Sequence, residues 1–233
     1  MKQLVLFDID GTILSTNGAA RRAFHAGMLE VYGTAGPIET HAFDGKTDPQ
    51  IARELLSHAG LDHDSIDAGL PSLWDHYLAN LEIELAPPGT GTVYPGVREL
   101  LAALRELQSE VLLALLTGNI AGGAALKLGS VGLRDHFSFG VYGSDAERRD
   151  ALPTIAVDRA LQLTGAGFAG RSIVVIGDTP HDVTCGKSLG VRAIGVCTGQ
   201  YDADRLHAAG ADAVFPDFSD TAAVVECILG SAR

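Results

Sequence analysis

Leu4-Val5-Leu6-Phe7-Asp8-Ile9-Asp10-Gly11-Thr12 is the stretch from which the fold is read. An apolar run of strand length ends at two aspartates one residue apart, then a glycine and a threonine, which predicts a buried strand stopping at a turn. In open α/β sheets ligands bind beyond the carboxyl ends of the strands, so such a strand delivers its carboxylates to a site. Alternation along a strand points Asp8 and Asp10 the same way, but Gly11 lets the chain turn and leaves their relation open. Two carboxylates this close repel, and they call for a cation or a shared proton. An Asp-Gly turn is common by itself. Here the reading gains weight because acidic or hydroxyl residues recur after later strands.

Working outward, Val111 to Leu116 is a second buried run and ends at Thr117-Gly118-Asn119. Ile173 to Ile176 is a third, β-branched, and runs into Gly177-Asp178-Thr179-Pro180-His181-Asp182. Phe137 to Val141, Arg192 to Val196 and Ala213 to Phe215 read as further strands. Helical spacing in Val97–Leu107, through Leu126 and Leu128, in Ile155–Leu163 and in Thr221–Leu229 separates them. This alternation predicts an α/β fold: a mostly parallel sheet covered by helices, with right-handed crossovers. Residues 15–88 contain no convincing strand. Ala20, Phe24, Met28 and Val31 recur at helical spacing up to Gly33, and Leu73, Trp74, Tyr77, Leu78 and Leu81 mark another helix. Between them, Asp48-Pro49 reads as an N-cap with proline at the first helical position, opening a helix through Ile51, Leu55 and Leu56. The expected division is a core of residues 1–14 and 89–233 with an all-helical insertion at 15–88.

The chain has 233 residues, 46% of them hydrophobic, enough for a sizeable core and against disorder. Its net charge of −12 argues against nucleic acid or an anionic membrane as main partner. An anionic substrate is still compatible, because a local cation reverses the field inside one cleft. Cys185, Cys197 and Cys227 match no zinc spacing and read as reduced thiols of a cytoplasmic protein. The first strand begins within a few residues of Met1, leaving no room for a signal peptide, and no apolar run reaches membrane-spanning length.

Strand ends bearing Asp8 and Asp10, Thr117, and Asp178 and Asp182 can converge on one crevice. Carboxylates gathered there form a hard, oxygen-rich site suited to Mg²⁺. A threonine hydroxyl and nearby backbone N–H groups suit phosphate oxygens. One aspartate can then attack phosphorus while its neighbour moves protons.

These residues resemble motifs one, two and four of the haloacid dehalogenase superfamily, in order and in strand context, over essentially the whole chain. The resemblance implies a Rossmann-like three-layer core with an inserted helical cap, as in phosphoglycolate phosphatase-like and β-phosphoglucomutase-like members. It implies that Asp8 is the nucleophile forming an aspartyl-phosphate. Asp10 is implied as general acid and base, also giving its backbone carbonyl to Mg²⁺. Thr117, with the Gly118-Asn119 turn, is implied to bind the phosphoryl group, Asp178 to ligate Mg²⁺ and Asp182 to support the metal site. The second aspartate is absent from the dehalogenases and present in phosphatases and phosphomutases. The family's third motif supplies a lysine, and no lysine follows the Phe137–Val141 strand until Lys187. Arg148-Arg149 stand there instead, and the position before Leu152-Pro153 favours Arg149 as the group pairing with nucleophile and phosphate. Gly45-Lys46-Thr47-Asp48 resembles the family's specificity loop, with Lys46 reaching over the mouth toward the substrate's distal group. His181, a single histidine with no partner spacing, is expected at the surface or behind the metal ligands, and not as a zinc ligand.

The expected activity is Mg²⁺-dependent hydrolysis of a small phosphorylated metabolite, of the phosphoglycolate or sugar-phosphate type, by a monomer or homodimer. Phosphomutase and pyrophosphatase chemistry use the same site and stay open, as does a non-catalytic ligand-binding role.

Overall fold

The computed structural model describes residues 3–230. Its central strand β1 (Gln3–Phe7) is followed by a two-residue strand β2 (Leu14–Ser15) and three helices, α1 (Ala19–Tyr32), α2 (Asp48–His58) and α3 (His63–Leu85). The short β3 (Thr92–Val93) and α4 (Val97–Glu106) lead to β4 (Val111–Leu116), α5 (Ala121–Ser130), β5 (Phe139–Val141) and α6 (Leu152–Thr164). β6 (Ile173–Gly177), α7 (Pro180–Cys185), β7 (Arg192–Val196), α8 (Ala203–Ala209), β8 (Ala213–Phe215) and α9 (Thr221–Leu229) complete the chain.

Six of these strands make one parallel sheet in the order β5-β4-β1-β6-β7-β8. Parallel strands are covered on both faces, and the side chains of β1 show it. Val5 and Phe7 join Leu113, Leu115, Val174 and Ile176 beneath α4, α5 and α9. Leu4 and Leu6 join Leu112, Ala114, Ile173 and Val175 beneath α6. A one-residue slip in any central strand would exchange these two cores, so the register is firmly specified. Because the chain passes from β1 to β4 on one side and to β6 on the other, the carboxyl end of β1 lies at a topological switch point. Phe7 pairs with both Leu115 and Ile176, so Asp8, Thr117 and Asp178 emerge at nearly one level.

The helices α1–α3 have an apolar cluster of their own, built from Phe24, Met28, Ile51, Leu55, Leu73, Tyr77 and neighbours. Phe24 is its hub, with Tyr77 at 5.2 Å and Phe43 at 5.9 Å between ring centroids, both edge-on. At the base, β2 and β3 form an antiparallel ladder pairing Leu14 with Val93 and Ser15 with Thr92. Residue 15, expected to open a strandless insertion, is thus strand, because two residues are too few to carry a periodic signal.

One helix start differs from expectation. In α2 the N-cap is Thr47, whose hydroxyl accepts from the Gln50 N–H at 3.2 Å, and not Asp48. Pro49 then fills the second helical position, where no N–H is needed. In α3, Asp62 caps by accepting from the Ser65 N–H at 2.8 Å, and the helix continues through Pro71. Ile66 and Leu73 are seven residues apart on one buried face, and that packing outweighs the one hydrogen bond proline removes.

Candidate active site

Asp8 leaves β1 still tied to the sheet, its N–H donating to the Ile176 carbonyl at 3.0 Å. Gly11 then turns the chain at φ 82°, and a Cβ there would lie 2.2 Å from an Asp178 carboxylate oxygen. Only glycine permits that approach together with that backbone conformation. The Thr12 hydroxyl donates to Asp178 at 3.1 Å and holds the carboxylate beside the turn.

Asp182 sits in the first turn of α7, where the capping box uses one of its oxygens. The Thr179 N–H and hydroxyl donate to that oxygen at 3.0 and 2.7 Å. Its other oxygen accepts from Arg149. The same Arg149 nitrogen, Nη2, donates to Asp8 at 3.0 Å. Arg149 is 7% exposed, in a 3-10 turn ahead of α6, whereas Arg148 lies outside, paired with Asp150. Neighbouring side chains in the loop thus diverge, and the inward one is the arginine favoured by position. Its Nε is buried with no hydrogen-bond partner among the described residues, a donor left over for a ligand.

One oxygen from each of Asp8, Asp178 and Asp182 lies within 4.8 Å of the others. Burial pushes the Asp8 carboxyl above the usual carboxylate range; Arg149 opposes the rise, and Asp182 and Asp10 add to it. Burial likewise raises Asp178, reinforced by Asp182 and Asp8. Arg149 remains charged because Asp182 and Asp8 outweigh its own desolvation. One guanidinium cannot balance three buried carboxylates, so their full ionisation calls for a further cation on these hard oxygen donors. That donor set fits Mg²⁺.

Asp10 belongs to a different network. Lys127 Nζ contacts both of its oxygens, at 2.8 and 2.7 Å, and donates to the Asn119 side-chain oxygen at 2.5 Å. Asn119 donates from Nδ2 to Asp10 at 2.7 Å and to the Thr117 hydroxyl at 2.8 Å. Both amide hydrogens and the amide oxygen of Asn119 are thereby engaged, which leaves its side chain no donor for phosphate. Thr117, fully buried, accepts from Asn119 and keeps its own hydroxyl hydrogen to give. Lys127 was not foreseen. Its helix is glycine-interrupted, and the only trace is a lysine three residues after Ala124, where the buried face calls for an apolar side chain.

Gly118 has a separate reason to be glycine. A Cβ there would meet the Lys46 carbonyl oxygen at 2.0 Å, since the 45–48 loop lands on this turn. The Asp48 N–H donates to the Gly118 carbonyl at 2.7 Å, and the Asp48 carboxylate accepts from the Ile120 N–H at 2.8 Å. Burial raises the Asp48 carboxyl to about 6, against the pull of Lys127 and of the Ile120 hydrogen bond. Lys46 lines the cavity, with its ammonium on Glu54 at 2.5 Å and 3.3 Å from the His41 ring. His181 is exposed and packs beside Gly45. The cavity, about 420 Å³, is continuous from Asp8, Asp10, Arg149 and Asp178 to Arg21, Phe24, Phe43 and Tyr77 of the helical segment.

Residues 5–196 match the family model of haloacid dehalogenase-like hydrolases. The chain is 31% identical over 216 residues to a phosphoglycolate phosphatase of Chromobacterium violaceum, covering 88% of this chain and 89% of that one. It is 27% identical over 98% of its length to the probable phosphatase IndB of Dickeya dadantii, covering 96% of that protein. A hydrolase from Pseudomonas syringae shares the fold with a TM-score of 0.71 at 20% identity, over 98% of this chain and 99% of that one. The chain belongs to the haloacid dehalogenase-like hydrolases.

Proposed function

We propose that the protein is a Mg²⁺-dependent phosphatase of small phosphorylated metabolites, working through an aspartyl-phosphate on Asp8. The observation that carries this reading is the buried Asp8–Arg149–Asp182 bridge beside Asp178, at the carboxyl ends of β1 and β6 and open to the cavity. Phosphatase relatives by name support the same class.

In this reading Asp8, Asp178 and, behind them, Asp182 hold the ion. Mg²⁺ when bound neutralises the carboxylates and polarises a phosphoryl oxygen. Arg149 orients the Asp8 carboxylate and favours its ionised form against burial, and its spare Nε–H and the Thr117 hydroxyl donate to phosphoryl oxygens. An Asp8 oxygen attacks phosphorus, the bond to the substrate oxygen breaks, and a proton from Asp10 reaches the departing alkoxide. Asp10 then takes a proton from the water that attacks the phosphorus, freeing Asp8. Lys127 and Asn119 position Asp10 for both transfers. Residues 15–88 act as the cap: the 45–48 loop seated on Gly118 covers the mouth and excludes bulk water. Reduced, widely spaced thiols fit a cytoplasmic setting.

Phosphate release from phosphoglycolate, sugar phosphates, nucleotides and pyrophosphate, each with Mg²⁺ and with chelator, tests this reading. Chelator-sensitive release from at least one monoester is expected. Release indifferent to chelator, or confined to pyrophosphate, contradicts it.

A further inference from the structure

The loop that carries Arg149 is held by the helical segment as well as by the core. Resting on the phosphatase reading above, we propose that Arg53 and Glu147 are positioning residues. Their ion pair passes the seat of the helical segment on to the loop, so that Arg149 is aligned with the phosphoryl group only while that segment is docked.

Helix α2 has two faces. Ile51, Ala52, Leu55 and Leu56 pack into the apolar cluster of the helical segment, and the opposite face turns Gln50, Arg53 and Glu54 toward residues 147–150. There Arg53 Nε donates to both carboxylate oxygens of Glu147 at 3.1 Å. Arg53 Nη2 donates to Asp67 of α3 at 2.7 Å, which anchors the guanidinium in the helical segment. The Thr47 hydroxyl, at the N-cap of α2, donates to the Glu147 backbone carbonyl at 2.6 Å. Glu147 is therefore gripped by side chain and by backbone, from two points of one helix.

Two residues on, Arg149 turns inward. Its Nη2 is tied to Asp8 and Asp182, which fixes one end of the guanidinium. The direction of Nε, the donor without a partner among the described residues, depends on where the loop backbone lies. Among the described residues, the hydrogen bonds that reach residues 146–148 from outside the loop come from Thr47 and Arg53. Packing does not replace them on that side, because a second cavity opens there, walled by Gln50, Arg53, Glu54, Glu147 and Arg148 and reaching Arg149 itself. Where a loop borders open space, its few polar contacts set its place. The Arg53 and Glu147 side chains are 23% and 39% exposed, so their pair adds little to global stability and acts through alignment.

The test measures phosphate release from one accepted monoester at saturating Mg²⁺. It covers the unmodified protein, Arg53→Met, Arg53→Lys, Glu147→Ala, the double variant of Arg53→Met with Glu147→Ala, and Arg53→Met in an Arg149→Ala background. Arg53→Met and Glu147→Ala are each expected to lower kcat about tenfold, the scale of a slight misplacement at the reacting centre, with KM changed less than about threefold. The double variant should lie within about twofold of either single, and Arg53→Lys should recover part of the loss. Where Arg149 is already gone, Arg53→Met should cost less than about twofold. A merely structural contact would cost the same in both backgrounds, and that result overturns the proposal. So does a kcat near that of the unmodified protein, or a loss confined to KM. A second readout needs no turnover: the Arg149 Nε–H resonance in the Mg²⁺-loaded protein, identified by its absence from Arg149→Lys. It should shift or broaden in Arg53→Met with the thermal midpoint nearly unchanged, and an unmoved resonance overturns the proposal even if Arg149→Ala fails to fold. If the unmodified protein releases phosphate from no ester, the phosphatase reading itself has failed, whereas the resonance tests the coupling of Arg53 to Arg149 by itself.

Discussion

Asp8 and Asp10 stand two residues apart and are served by different cations. Arg149 bridges Asp8 to Asp182 in the buried half of the site, and Lys127 grips both oxygens of Asp10 nearer the opening. The two cations should therefore fail differently. Arg149→Ala is expected to lower kcat on the order of a hundredfold at saturating Mg²⁺, the scale for losing a preorganised electrostatic donor. It should also destabilise the metal-free protein by about 3–5 kcal/mol, because two buried carboxylates lose their partner. Arg148→Ala should stay within a few-fold, since that side chain meets only solvent and Asp150. Steady-state kinetics and denaturant titration of both variants check this pair of outcomes. Lys127→Met is expected to lower kcat tenfold to a hundredfold with KM little changed. Combined with Asp10→Asn, it should add almost nothing, because residues acting as one unit are not additive. Full additivity in that cycle would mean that Lys127 acts elsewhere. Arg149 was legible in the sequence because a strand end, a turn and Leu152-Pro153 fixed its place. Lys127 was not, because its helix carries three glycines, at 122, 123 and 129, which dilute the periodic signal that would have shown a lysine on the buried face.

At the scale of elements, the contact between the 45–48 loop and the 117–120 turn joins the helical segment to the core. Gly118→Ala forces a Cβ toward the Lys46 carbonyl, so the loop must lift. A loss of tenfold or more in kcat/KM is expected with the thermal midpoint of the protein nearly unchanged, measured by kinetics alongside calorimetry. Asp48 adds a pH signature. Its folded-state carboxyl, raised to about 6, binds protons more tightly than in the unfolded chain, so its contribution to stability falls as pH rises from about 4 to about 6. Asp48→Asn keeps an acceptor for the Ile120 N–H without the buried charge. The variant should melt higher than the parent at pH 8, with the gain shrinking toward zero near pH 4. The same few residues show where sequence reading reached its limit. Thr47 and Asp48 are both good N-caps, and only the tertiary partner of each, Glu147 for Thr47 and Ile120 for Asp48, decides between them. The strands β1, β4, β6 and β7 were plain because each is a buried run bounded by turn residues. The two-residue β2 and β3 had no pattern to read.

The whole molecule carries a net charge of −12, and a share of it is concentrated where the sheet's strands end. Asp8 and Asp178 have carboxyls raised by burial, so the metal-free fold is favoured at low pH and loses that contribution as pH climbs through neutrality. A bound cation reverses the trend by stabilising the ionised forms. Excess Mg²⁺ should therefore raise the melting temperature more at pH 8 than at pH 5; an equal or larger shift at pH 5 would contradict the assignment of this cluster to the metal. The helical segment, with its own apolar cluster and a two-residue antiparallel ladder at its base, lines one side of the cavity.

The most direct test is phosphate release from one accepted monoester by the unmodified protein and by Asp8→Asn, each with Mg²⁺ and with chelator, after mass spectrometry has excluded deamidation. The expected result is chelator-sensitive turnover that falls by several orders of magnitude in Asp8→Asn, with the fold intact by circular dichroism. Near-normal turnover in that variant, or turnover unmoved by chelator, would contradict a metal-dependent phosphatase built on Asp8.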